Sequence, residues 1–318
     1  MNEIKVSIVI VCMNNIKELF PCLDSIYKYT TVSYETFVVA FMFTEENLLQ
    51  LTEKYPWVTI VESNELRGFS ENNNLALRQA KGKYCFIVND DTFMKSPVID
   101  RLVEVIETLP YDVAVVSPNI KYPNGNDQIC GRRYYGLWEQ FVATLHLSNI
   151  LLPLSKYENQ DGIFQSYNLS GAAFLIKTVD FEEMGWFDEY YYFCPEDVAL
   201  SDGLNKKGKK CYVDANNILY HIGGNTASKV QMATIPAVNK GGLVFYSRGR
   251  KWAYWIMGIH IFMVRAILSI VYRIEMLFGN EHATILYYGS INVCKTILSK
   301  KTPKEIFISI YKNSIKNK

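Results

Sequence analysis

The sequence predicts an α/β domain with a mainly parallel central sheet, followed by a helical appendage. Three observations carry this. Up to about residue 120, strands that are apolar on both faces alternate with helical stretches, the pattern of a parallel sheet covered on both sides. Carboxylates and amides gather where these strands end, and in open α/β sheets that rim receives ligands. After about residue 232 the alternation stops and a long apolar run, 252–272, takes over.

The elements follow in order. Val6-Ser-Ile-Val-Ile-Val11 is β-rich and reads as a buried strand, with a helical stretch over 15–29. The whole apolar run Val6 to Met13 is too short to cross a membrane and has no small-residue cleavage site. A second strand, Glu35 to Phe41, precedes a helical stretch near 45–54, and Trp57 to Val61 makes a third strand. Residues 70–80 are helical. Tyr84 to Val88 is a fourth strand ending in Asn89-Asp-Asp-Thr92, a helix over 97–108 follows, and Val113 to Ser117 is a fifth strand. Residues 119–165 are less regular, with a turn at Tyr122-Pro-Asn-Gly-Asn126 and helical character over 134–149. Asn168 to Ile176 reads as a loop entering a strand, and Pro195-Glu-Asp-Val-Ala-Leu200 opens a helix to about 207. Lys210 to Val213 and Ile218 to Ile222 read as two short strands.

The net charge of +1 over 318 residues argues neither for nor against a nucleic-acid partner, but no basic stripe accompanies the acidic site, which disfavours one. Seven scattered cysteines without a CxxC pair fit neither a disulfide framework nor a zinc site, and a reducing cytosol suits them best. The run 252–272 has the length of a membrane span, which needs about 20 residues. Its interior contains His260 and Arg265, and Lys or Arg residues lie on both sides: Arg248, Arg250 and Lys251 before it, Lys295, Lys300, Lys301 and further lysines to Lys318 after it. Cations on both flanks give no orientation for a single span, but they suit a helix lying against an anionic inner leaflet. A helix packed on the rest of the chain or on another subunit fits the same pattern.

Four short constellations carry chemistry. Carboxylates in Asn89-Asp90-Asp91 at a strand end suit a hard cation bridging two phosphates, although Asn and Asp also favour plain turns. Glu196-Asp197 at a helix start offers a general base, or a helix cap. Tyr220-His221-Ile-Gly-Gly224 presents an imidazole that can join a metal site, or merely a satisfied polar residue. Gly68-Phe-Ser-Glu-Asn-Asn-Asn74 offers backbone N–H groups and amides to phosphate or ribose, or a capped helix start.

Taken together and in order, these residues resemble the large inverting family 2 of glycosyltransferases, in particular its rhamnosyltransferase-like members. The resemblance runs from Val6 to about Gly224. It includes the opening strand to Asn14, Gly68-Phe69 with the following asparagines, Phe86 to Thr92 as a variant Asp-x-Asp turn, Leu169-Ser-Gly-Ala172, Gly185-Trp-Phe-Asp-Glu189 with Glu196-Asp-Val198, and Tyr220-His221 with Gly223. It implies a GT-A-type nucleotide-diphospho-sugar transferase fold. Residues 1–230 would form the catalytic domain, with 1–118 as the donor-nucleotide half and 119–230 as the acceptor half. Residues 231–318 would form a helical, membrane-associating region.

The same resemblance implies residue roles. Asp91 would hold Mg2+ or Mn2+ and His221 would assist. Asp197 would be the base, beside Glu196. Asn14, Asn73, Asn89, Asp90, Ser170 and Gly171 would line the substrate pocket. The donor would be a UDP- or dTDP-linked sugar, and the acceptor a glycan or lipid-linked hydroxyl at the cytoplasmic face of the inner membrane. Three positions depart from the family pattern. Ala40 stands where an Asp usually contacts the nucleotide base, Met13 replaces a Tyr, and Ala199 stands where a second Asp is common. A non-catalytic sugar-nucleotide-binding or scaffold protein of the same fold, and a two-carboxylate glycoside hydrolase, are the competing classes.

Overall fold

A computed structural model describes residues 3–151, 160–223 and 230–316. Gly224, which closes the histidine motif, and Lys318, the last of the flanking cations, lie outside the described residues. The chain forms two compact units. The first comprises Met1–Tyr134, Lys156–Asp188 and Glu196–Gly223; the second comprises Tyr135–Ser155, Glu189–Pro195 and Gly224–Lys318.

The first unit opens with β1 (Val6–Met13), α1 (Ile16–Tyr29), β2 (Tyr34–Phe41), α2 (Glu45–Lys54), β3 (Val58–Ser63), α3 (Phe69–Leu77) and β4 (Tyr84–Asn89). It continues with β5 (Thr92–Met94), α4 (Val98–Thr108), β6 (Val113–Lys121) and β7 (Gly131–Arg132). Two helices of the second unit intervene, α5 (Leu137–Thr144) and α6 (Ser148–Leu151). The first unit then resumes with β8 (Ile163–Ser166), β9 (Asn168–Leu169), β10 (Ala173–Lys177), α7 (Thr178–Glu183), α8 (Glu196–Lys206) and β11 (Lys210–His221). The second unit ends with α9 (Gln231–Ser247), α10 (Lys251–Leu277), α11 (Glu281–Thr296) and α12 (Pro303–Lys316).

The main sheet has the order β3-β2-β1-β4-β10-β6-β11-β5, with β8 also paired to β11. β1 is parallel to β2 and β4, β2 to β3, and β6 to β11. β10 lies antiparallel between β4 and β6, and β5 and β8 are antiparallel to β11. β1, β2 and β4 are buried on both faces, their successive side chains pointing to opposite cores. Ile8 and Ile10 of β1 join a core with Leu19 and Leu23 of α1 and Leu102 and Ile106 of α4. Val9 joins the opposite core with Leu77 of α3, Phe181 of α7 and Leu204 of α8. Each such fully buried aliphatic side chain contributes about 1.5–3 kcal/mol.

This arrangement brings the carboxyl ends of β1, β2, β4, β6 and β11, and the start of the antiparallel β10, to one rim. Val11 pairs with Asn89, Ala173 with Val88, and His221 with Thr92.

The region read as two short strands is one strand, β11, with a register shift between Asp214 and Ile218. The polar stretch Asp214-Ala-Asn-Asn217 has the composition of a turn, but its polar groups are satisfied inside the fold. The buried Asp214 Oδ2 accepts from Arg101 Nε at 3.1 Å, and Asn217 Nδ2 donates to the Val98 carbonyl at 3.0 Å.

In the second unit, Leu243 of α9, Met257 and Ile261 of α10, and Val293 of α11 share a core with Ile297. Lys240, buried in α9, donates from Nζ to the Tyr254 hydroxyl at 2.5 Å and to the carbonyls of Ile297 at 2.9 Å and Ser299 at 2.6 Å, tying the helices together. Midway along α10, the His260 ring stacks on Phe141 of α5 with centroids 3.8 Å apart, and its Nε2 lies 2.6 Å from the Thr144 hydroxyl. The outward face of α10 is apolar and exposed; Trp252, Trp255, Ile259, Ile267, Ile270 and Ile274 lie along it.

Candidate active site

The site begins where β4 ends. Asp91 and His221 meet across the pairing of β5 with the end of β11, with Asp91 Oδ1 3.1 Å from His221 Nε2. The other carboxylate oxygen, Oδ2, accepts from the Gly223 N–H at 3.0 Å, and the Asp91 carbonyl accepts from the Ile222 N–H at 3.0 Å. Asn89 Nδ2 also lies 3.3 Å from His221 Nε2.

Gln128, in the loop between β6 and β7, holds the far side of the imidazole. Its Nε2 donates to the His221 carbonyl at 2.6 Å, and its Oε1 lies 2.8 Å from His221 Nδ1. The Gln128 N–H in turn donates to the Ile120 carbonyl at the end of β6. Beside Gln128, a cavity of about 570 Å3 is walled by amides and carboxylates, among them Asn119, Asp127, Gln160 and Asn216, together with the Phe164 ring.

The second part of the site lies between the loop before β10 and the start of α8. Asp197 Oδ2 accepts from the Gly171 N–H at 2.9 Å, and Oδ1 accepts from the Val198 N–H at 2.8 Å. Burial raises the pKa of Asp197 above the usual carboxylate range, while the Gly171 and Val198 N–H groups and the positive charge of Arg132 pull the other way. A carboxylate raised in this way is suited to a general base near neutral pH. The same loop reaches the other half of the site: the Ala172 carbonyl accepts from the Asn89 N–H at 3.0 Å, and the Leu169 N–H donates to Ser201 Oγ of α8 at 3.3 Å. Ser170 sits in this loop with its N–H on the Cys130 carbonyl and its Oγ accepting from the Ala172 N–H.

The other residues singled out in the sequence have different surroundings. Glu196 is buried at the first position of α8. Asp90 is buried beside the Cys12 thiol, and its Oδ2 has no hydrogen-bond partner. Asn14 adopts a left-handed backbone (φ +50°) at the rim, where its Oδ1 accepts from the Thr44 N–H at 3.0 Å and Asn47 Nδ2 at 2.8 Å, anchoring the start of α2. Asn73 is buried in α3 and donates from Nδ2 to the Phe69 carbonyl at 2.9 Å. Gln128 and Arg132 were not singled out by the sequence. Both lie in the irregular stretch after β6, where no periodicity or local motif marks them.

An α/β sheet of this order is the GT-A type fold, which the chain shares with solved glycosyltransferases. Residues 7–183 match the model for glycosyl transferase family 2, and the chain belongs to that family.

It is 23% identical over 198 residues to the O-antigen biosynthesis protein RfbC of Myxococcus xanthus, covering 59% of this chain and 14% of that protein. It is 39% identical over 59 residues to an N-acetylglucosaminyl-diphospho-decaprenol L-rhamnosyltransferase of Mycobacterium tuberculosis, covering 18% of this chain and 19% of that one. The chain thus spans less than a fifth of the length of either relative. Among solved structures, the mannosyltransferase PcManGT of Pyrobaculum calidifontis, in complex with GDP-Man and Mn2+, shares the fold with a TM-score of 0.52. The identity is 15%, covering 99% of this chain and 88% of that one.

Proposed function

We propose that the chain transfers a sugar, with inversion, from a UDP- or dTDP-linked donor to a hydroxyl of a glycan or lipid-linked acceptor, assisted by Mg2+ or Mn2+. The observation that carries this reading is the Asp91–His221 pair. Gln128 Nε2 must donate to the His221 carbonyl, so Gln128 Oε1 faces Nδ1 and requires a proton there. The neutral ring then turns the Nε2 lone pair toward the Asp91 carboxylate at 3.1 Å. Two acceptors facing each other repel, and a divalent cation or a proton between them relieves it. Among the described residues no third His, Cys, Asp or Glu completes a cluster, which leaves coordination positions for diphosphate oxygens and water. The PcManGT complex contains a nucleotide sugar and Mn2+, ligands of the classes invoked here.

A cation held by Asp91 and His221 would supply Lewis-acid stabilisation of the leaving diphosphate. Asn89, Asp90, Asn14, Asn73, Ser170 and Gly171 are the donor-side surroundings on this reading. Asp197, with Glu196 beside it, takes the proton of the acceptor hydroxyl. The hydroxyl oxygen forms its bond to the anomeric carbon as the bond from that carbon to the diphosphate oxygen breaks, and the electron pair leaves with the diphosphate. Attack from the face opposite the leaving group inverts the configuration. Residues 1–118 serve as the donor half and 119–230 as the acceptor half, where the amide-lined cavity beside Gln128 offers groups of the kind that bind glycan hydroxyls.

A thermal-shift screen of nucleotide sugars with and without Mn2+ tests the reading. One donor should give a shift that depends on Mn2+, and Asp91→Ala should remove it and lower transfer by at least about 100-fold. An Asp91→Ala protein that binds and turns over like wild type would overturn the assignment.

We further propose that the region 231–318 holds the enzyme peripherally at the cytoplasmic face of the membrane. A helix that is apolar all round belongs in a core or in lipid, and α10 is covered only on its inner side, by α5, α9 and α11. Because its midpoint is bound to α5 through His260, α10 lies in the headgroup plane rather than crossing the bilayer alone.

A further inference from the structure

We propose that Gln128 is a positioning residue that fixes the tautomer of His221 and thereby keeps Nε2 as a lone-pair donor before any cation arrives. The inference deepens the proposed metal-assisted reading, and its test reads the imidazole itself.

A side-chain amide presents one donor end and one acceptor end. The His221 carbonyl can only accept, so the nitrogen of the Gln128 amide must face it, at 2.6 Å. The amide oxygen is thereby fixed against Nδ1 at 2.8 Å. An oxygen there accepts only if Nδ1 carries the hydrogen. In the neutral ring this strips Nε2 of its hydrogen and aims its lone pair at Asp91 Oδ1 and Asn89 Nδ2. Asn89 can satisfy that lone pair by donating, but Asp91 cannot.

Gln128 is itself held in place. Its backbone N–H donates to the Ile120 carbonyl, and the following Cys130 carbonyl takes the Ser170 N–H. The amide grips both the ring and the main chain of the same histidine, and this bidentate contact fixes the orientation of the ring as well as its proton. Without the amide, the nearest acceptor is Asp91 Oδ1. The favoured neutral tautomer would then place the hydrogen on Nε2, between the two groups that would have to share a cation. Partners of this kind fix the tautomer and ring orientation of a metal-ligating histidine, and their loss typically costs about 10–100-fold in metal affinity.

The test uses full-length metal-free protein labelled with 15N-histidine, in mildly alkaline buffer. Four histidines are present, and His221→Gln identifies the His221 signals. Long-range 1H–15N spectra should show a protonated Nδ1 and an unprotonated Nε2 in wild type. Gln128→Leu should move the hydrogen to Nε2 and weaken Mn2+ binding by about 10–100-fold.

Wild-type protein with the hydrogen on Nε2 overturns the proposal even if Gln128→Leu does not fold, and so does an unchanged tautomer in folded Gln128→Leu. The functional reading is judged separately. A wild-type protein with the expected tautomer that transfers no sugar refutes the reaction and leaves the positioning role intact.

Discussion

Asp90 and Asp91 are neighbours in sequence but meet different surroundings. Asp91 is held by the Gly223 N–H and faces His221, whereas Asp90 points back against Cys12 with one oxygen unpartnered. Burial pushes the Asp90 pKa up from 3.8 to about 7. Between those values the native protein holds a proton that the unfolded chain has released, so stability falls as pH rises through that window. At about 1.4 kcal/mol per unit, the loss above neutral pH is on the order of 4 kcal/mol. Asp90→Asn removes the ionisable group. In metal-free protein, calorimetry should find the variant more stable than wild type at pH 8, with a flatter dependence of Tm on pH between 5 and 8. A variant no more stable than wild type at pH 8 would show that this carboxyl is not held protonated by burial.

The loop 169–172 does for the elements what Gln128 does for one ring. It ties β4 to α8, because Ala172 receives the Asn89 N–H and Gly171 gives its own N–H to Asp197. A Cβ on Gly171 would stand 3.3 Å from the Asp197 Cβ, tight enough that the carboxylate must give way by a few tenths of an ångström. If Asp197 is the base as proposed, Gly171→Ala should lower kcat by about 10-fold, since small displacements of a reacting group are costly. Equal kcat in variant and wild type would remove Gly171 from the positioning of the proposed base.

Much of this layer is legible in the sequence. Strands buried on both faces, such as Val6–Met13 and Tyr84–Asn89, stand out as apolar runs, and the residues that follow them mark the rim. β5 is too short, at three residues, to show a period. The antiparallel direction of β10 follows from its pairing with β4 and β6, which local composition does not encode. The turn-like Asp214 to Asn217 conceals a strand because the side chains of Asp214 and Asn217 find partners on α4. Gln128 acquires its role only from a histidine 93 positions later in the chain.

At the scale of the whole molecule the two units carry different surfaces. The first carries Asn89, Asp91 and His221 where its strands end at one rim. The second exposes an apolar stripe along α10, a helix of 27 residues and so about 40 Å long. Net charge is only +1, so long-range attraction does little to bring the protein to an anionic surface. On the proposed membrane reading, recruitment depends on burying Trp252, Trp255, Ile259 and their neighbours, helped by Arg250 and Lys251 at the start of the helix and Arg273 near its end. This predicts the order of two dependences. Binding to vesicles of phosphatidylcholine with anionic phosphatidylglycerol should weaken only modestly between low and physiological salt. It should fall by about 100-fold or more in Trp255→Asp/Ile259→Asp, because two apolar anchors are lost and two anions face the headgroups. Sedimentation measures both, and the Mn2+-dependent thermal shift checks that the variant is intact, since neither position belongs to the site. If the double variant sediments with vesicles as wild type does, α10 is not the membrane surface; if high salt alone releases the protein fully, charge rather than the apolar stripe holds it there.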